Sequence, residues 1–185
     1  MALKATIFKA ALQIADMDRN YYQDHALTIA RHPSETDERM MVRLLAFAVN
    51  ASESLTFGRG LSADDEPDVC EKDLTGAIRT WIDVGQPDER RIRKASGRAD
   101  QVLVYTYGPN DRSVWWDQAR DKLEKLRNLT VVKLPSAATR ELAKLADRNM
   151  RLTCTLQEGQ AWLADEKNSV LVELEPLKVP AIAAR

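Results

Sequence analysis

Cysteine is almost missing from this chain: Cys70 and Cys154 are the only two in 185 residues. They lie far apart and outside any CxxC pattern, so no disulfide framework is offered and a reduced compartment is expected. Histidine is as scarce. His25 and His32 lack metal-ligand spacing and have no cysteine partners, which argues against a zinc site. The seven glycines never form a GxxxxGK[ST] phosphate cradle, and Gly58-Arg59-Gly60 is too short to act as one. No charge of one sign dominates either. With 27 basic and 28 acidic residues the net charge is −1. Strong sequence-independent polyanion binding scales with the phosphates neutralised, so the balance argues against it while leaving a local basic face open. Long hydrophobic runs are absent too. The longest, Leu44 to Val49, falls far short of the ~18 apolar residues that span a bilayer. The stretch from Met1 to Ile7 has no long apolar core of the kind a signal peptide carries. A cytoplasmic protein is the expectation.

What is present suits a globular domain. The apolar share is 44% and the charged share 30%. The length fits one domain, residues 1–176, with 177–185 as a loose C-terminal tail. A chain of this size buries roughly 70% of its unfolded surface, so it needs no staple.

Residues 3–14 and 20–31 read as two strands of a hairpin, with a polar link from Asp16 to Asn20. Pro33 stops the second strand. Ser34 can cap a helix whose first turn holds Glu35, Asp37 and Glu38. Met41, Leu44, Leu45 and Ala48 mark its apolar face, and it ends near Glu53. Residues 54–76 read as loop, with a short strand starting near Val69. Ile78 to Val84 is a strand, 87–96 a helix, and 101–107 a strand. A helix over 113–126, a strand over 130–134 and a helix over 136–149 follow. Three short strands, 151–157, 160–164 and 169–175, close the domain. Trp115 and Trp116 could stack on bases, but core filling is the better reading.

The alternation of strand and helix predicts an α/β fold: a mixed β-sheet flanked by helices, with added antiparallel hairpins. Within it, 78–84 and 101–107 should be neighbouring parallel strands, because helix 87–96 supplies the crossover.

Carboxylates gather around the central strand. Glu35 and Glu38 share a helix face. Asp68 follows Pro67 in an acidic loop that begins at Asp64. Asp83 sits at the end of strand 78–84. Beyond it, Arg90 and Lys94 project from one helix face, and Arg91 and Arg93 extend the basic surface. Carboxylates meeting at a strand end beside a Lys suit Mg²⁺-assisted phosphodiester hydrolysis. The Lys would position water or steady the developing charge.

Three runs, His32 to Met41, Gly60 to Pro67 and Trp81 to Lys94, resemble the YaeQ family, and the likeness extends from Met1 to about Leu174. That family is similar in fold to the PD-(D/E)XK nucleases, which implies a restriction-endonuclease-like core. The resemblance implies Pro67-Asp68 as the "PD" pair and Asp83 as the second acid. Asp68 and Asp83 would then hold Mg²⁺ (or Mn²⁺). Position 85, where the motif has Lys, is Gly, so Lys94 would have to take that part, and Glu35 or Glu38 would complete the site. Two readings follow. One is a metal-dependent nuclease acting on DNA or RNA. The other is a nucleic-acid- or protein-binding regulatory module that kept the fold and lost the reaction.

Overall fold

The computed structural model describes residues 4–59 and 65–181. It opens with a hairpin, β1 (Thr6–Asp16) and β2 (Tyr21–Arg31), followed by α1 (Asp37–Asn50). Then come β3 (Leu55–Phe57), β4 (Val69–Lys72), β5 (Ile78–Val84), α2 (Glu89–Ser96) and β6 (Ala99–Thr106). Next are α3 (Val114–Leu123), β7 (Leu129–Lys133) and α4 (Ser136–Ala143). The chain ends in β8 (Asn149–Gln157), β9 (Gln160–Ala164), β10 (Ser169–Glu173) and β11 (Glu175–Lys178).

The fold is α/β, but the strands form two mixed sheets where the sequence suggests one. A five-stranded sheet runs β10-β9-β8-β1-β2, and a six-stranded sheet runs β11-β7-β6-β5-β4-β3. The first is built around β1, which pairs antiparallel with β2 and parallel with β8. In the second, β5, β6 and β7 are parallel neighbours. The expected pairing of 78–84 with 101–107 is therefore present, with α2 as the crossover.

One helix joins the two sheets. In α1 every residue from Met40 to Ala48 is buried, and its apolar cluster takes in the inward side chains of β1 and β8 as well as Leu55, Val69 and Ile82 of the second sheet. A helix apolar all round is one enclosed all round. The other face of the second sheet carries a separate cluster with α2 and α3. Its members include Trp81, Ile92, Val104, Trp116 and Leu123. Trp116 is thus core, and Trp115 packs at its edge while donating Nε1–H to the Pro87 carbonyl at 3.0 Å.

Several local readings need correction. Thr36, not Ser34, caps α1, accepting the Arg39 N–H at 3.1 Å, while the Ser34 hydroxyl meets His32 Nδ1 at 2.6 Å. Both α1 and α4 stop earlier than their apolar patterns suggest, and residue 149 already belongs to β8. Strands β3 and β11 were not expected. β11 pairs with β7 past Pro176, and Lys178 donates from Nζ to the Leu126 and Leu129 carbonyls, so the chain there is held against the sheet. Pro176 is tolerated because β11 is an edge strand.

Candidate functional site

Strand register brings two acids together. In the antiparallel pair β4–β5, Val69 lies opposite Ile82, which sets Asp68 across from Asp83 at the end of the ladder. Both are buried, at 4% and 1% exposure. The Asp68 N–H points at Asp83 Oδ1, 3.4 Å away, and Asp68 Oδ2 accepts the Val84 N–H at 2.9 Å. Two glycines allow this approach. At Gly58 an added Cβ would sit 2.0 Å from the Pro67 carbonyl oxygen. Gly85 turns the chain out of β5 at φ +93°. A Lys at position 85 would be strained in that conformation.

Each acid has its own guanidinium. Arg39 Nη2 lies 2.9 Å from both oxygens of Asp68, and its Nη1 donates to Glu35 at 2.9 Å. Glu35 in turn accepts two bonds of 2.7 Å from Arg43, which also donates to the Ala30 carbonyl at 2.9 Å. Arg43 and Glu35 have fully buried side chains. On the other acid, Arg91 donates Nε–H to Asp83 Oδ2 at 2.7 Å and from Nη2 to Oδ1 at 2.9 Å. The same Nη2 reaches the Glu66 carbonyl at 2.6 Å, and the guanidinium lies over the Trp81 ring. Charges thus alternate along the chain Asp68, Arg39, Glu35, Arg43, with the Asp83–Arg91 pair beside it. Buried charges persist where each is paired and hydrogen-bonded; each is paired here, although Arg43 Nη1 is buried without a hydrogen-bond partner.

The electrostatics follow from this packing. Burial pushes the Asp68 carboxyl above its ordinary value, and the neighbouring Asp83 adds to that, while Arg39 and the Val84 N–H oppose it. Burial works against the Arg39 charge, yet Asp68 and Glu35 hold its pKa above the usual guanidinium value. Tyr107 lies within the field of the same carboxylates. Burial pushes its hydroxyl up to about 12, and Glu38 adds to the rise.

The expected residues are divided by the structure. Asp68, Asp83 and Glu35 come together. Glu38 faces α4, where it accepts the Thr139 hydroxyl at 2.7 Å. Lys94 does not complete the acid pair: it pairs with Asp65, and its side chain is 57% exposed. The cation on Asp83 is Arg91, because one turn of α2 less brings a long side chain to the strand end. Asp64 falls outside the described residues. Arg39 and Arg43 were the unrecognised partners. Arg39 and Arg43, four apart within α1, stack on one helix face, and the turn ahead of the Thr36 cap brings Glu35 to both.

This arrangement does not fit Mg²⁺. Each oxygen of Asp68 and Asp83 already accepts from a guanidinium, and a divalent cation would have to compete with Arg39 and Arg91 for them. Among the described residues no group of three or more His, Cys, Asp and Glu side chains could hold a metal ion.

Comparison with known proteins places the chain. The family model for "YaeQ protein" matches residues 1–174. The chain belongs to the YaeQ family. It is 46% identical to the "Uncharacterized protein YaeQ" of Salmonella typhi over 181 residues, covering 98% of this chain and 100% of that one. The same identity and coverage hold for the protein of that name from Escherichia coli K12. Among solved structures, the YaeQ protein of Xanthomonas axonopodis pv. citri superposes with a TM-score of 0.92 at 48% identity, covering 95% of this chain and 99% of that one. The YaeQ protein of Pseudomonas syringae gives 0.90 at 37% identity, with 96% and 98% covered. The YaeQ relationship therefore spans the acid pair, its arginines and both sheets. Among the described residues no helix is long and apolar enough to cross a membrane.

Proposed function

We propose that this YaeQ-family chain binds nucleic acid without cutting it, through the basic face of α2. One observation carries the reading: the two carboxylates that a metal-dependent nuclease would offer to Mg²⁺ are engaged by Arg39 and Arg91. The acid pair then serves to fix β4, β5 and α2 relative to each other. Outside it, α2 presents Arg90, Arg93 and Lys94 to solvent, with Arg98 just beyond. Arg90 and Arg93 have no acidic partner among the described residues, so they are available to phosphates. A reducing compartment, the cytoplasm, suits the two buried thiols.

The near-neutral net charge sets the scale of binding. Non-specific affinity in the range of roughly 10⁻⁴ to 10⁻⁶ M at physiological salt is expected. Fluorescence anisotropy with labelled duplex and single-stranded DNA and RNA, over a series of salt concentrations, tests this. Arg90→Ala with Arg93→Ala should weaken every nucleic acid and reduce the duplex salt slope by about 2, at ~0.9 per phosphate contact. No binding at 50 mM salt, or an unchanged slope in the double variant, refutes it.

A second reading, a Mg²⁺-dependent nuclease, is supported by Asp68 and Asp83 facing each other at a strand end and by the resemblance to PD-(D/E)XK nucleases. It requires both guanidiniums to leave the carboxylates. Cleavage of mixed substrates in Mg²⁺ or Mn²⁺ that disappears in Asp83→Ala would establish this reading in place of the first.

A further inference from the structure

The two sheets differ in how they are covered. The six-stranded sheet has apolar clusters on both faces. Among the described residues the five-stranded sheet has one covered face, toward α1, and it contains one parallel pair, β1–β8. Its other three pairings are antiparallel, and sheets of that kind often leave one face to solvent. Its open face is also shaped. Cross-strand register places Leu171, Trp162, Thr155, Ala15 and Tyr22 in a single row from β10 to β2. Leu171 and Tyr22 at the two ends are 43% and 55% exposed. The middle of the row, Thr155 and Ala15, is small, and so are the neighbouring Ala11 and Thr153, with the longer Gln13 between them. Large rims around a small floor make a trough, and two adjoining depressions of ≈ 730 and ≈ 460 Å³ lie in it.

The trough is acidic. Asp24 borders both depressions, and Asp165 and Glu166 border the smaller one, where Arg151 is the one Lys or Arg among the described lining residues. That charge decides between occupants. A nucleic acid would be repelled, and a second copy would bring the same acids face to face. The width decides between shapes. Three strand spacings of about 4.8 Å separate Trp162 on β9 from Tyr22 on β2, which gives roughly 14 Å between the rims. A helix with its side chains measures about 10–12 Å across. We infer that the open face of the five-stranded sheet is a docking surface for an amphipathic helix of a partner protein, one that lays an apolar stripe on the Ala/Thr floor and sets Lys or Arg against Asp24, Asp165 and Glu166.

The probe is a fluorescein-labelled 18-residue helical peptide, with Leu on one face and Lys on the other. A peptide with Glu in place of Lys is the control. Anisotropy with the full chain should show saturable binding of the Lys peptide and none of the Glu peptide. Thr153→Arg adds bulk and positive charge to an exposed floor position, and it should weaken the Lys peptide at least tenfold while the circular dichroism melt is unchanged. Asp24→Asn with Glu166→Gln should weaken it less, and only at low salt. Equal binding of both peptides, or binding that survives Thr153→Arg, overturns the inference. So does light scattering that shows a wild-type dimer converted to monomer by Thr153→Arg, since a second copy then covers the face. None of these outcomes depends on nucleic-acid binding by α2.

Discussion

Arg39 gives the sharpest test of how the acid pair is held. Its guanidinium, 17% exposed, makes three bonds of 2.9 Å to two carboxylates that are 5% and 0% exposed. Arg39→Met keeps the aliphatic stem and removes all three. Glu35 retains Arg43, so the loss falls on Asp68, left with the Val84 N–H and with Asp83 nearby. Removing one partner of a buried pair costs about 3–5 kcal/mol. The lower end applies here because Arg39 is partly exposed and Glu35 stays paired. At roughly 2–4 °C per kcal/mol for this chain length, the melting temperature should fall by about 6–12 °C. The deficit should also depend on pH. With Arg39 gone, burial and Asp83 both act to raise the folded pKa of Asp68 further above its unfolded value. A raised folded pKa favours folding where the group is protonated and costs stability where it must ionise. The deficit should therefore be larger at pH 8 than at pH 5. Asp68→Asn in the Arg39→Met background should recover part of it, because a neutral amide is cheaper to bury unpaired than a carboxylate. Urea melts at both pH values measure all of this. A loss below about 1 kcal/mol, independent of pH and unchanged by Asp68→Asn, would refute the view that this guanidinium compensates a buried charge.

Three further outcomes follow from the same structure. Lys94→Ala should leave the melting temperature unchanged in a thermal scan, because its pair with Asp65 is solvent-exposed; a clear drop would mean that Lys94 supports the acid pair after all. The hydroxyl of Tyr105, buried and donated to by Asn50 at 2.7 Å, is pushed up to about 12 by burial. Below pH 10 it is neutral whether folded or unfolded, so its contribution is intact there. Between pH 10 and about 12 the unfolded chain ionises first and stability falls, by roughly 2–3 kcal/mol for a shift of this size, and urea melts of Tyr105→Phe should lack that part of the decline. Burial likewise pushes the Cys154 thiol up to about 12, so maleimide labelling should miss Cys154 in the native protein and count two free thiols after denaturation; fast native labelling at Cys154 contradicts the structure.

The sequence by itself determined the local and periodic features. Strands over 3–14 and 151–157 were legible to within a few residues of the observed 6–16 and 149–157, and a helix over 87–96 between two strands called for their parallel pairing. It also placed Asp83 at a strand end, and it held the four-residue spacing that sets Arg39 and Arg43 on one face of α1. Periodicity reports which face of an element is buried, however, and not what covers it. The separation into two sheets with α1 enclosed between them was therefore a tertiary matter, as was the open face between Leu171 and Tyr22. The cation that meets Asp83 was decided the same way. Arg91 and Lys94 stand one turn apart on one short helix, and the packing of α2 against Trp81 turns the first onto the acid and the second toward Asp65. Asp68 joins Asp83 because antiparallel register sets their strands side by side, a constraint between residues that no local pattern in either segment contains.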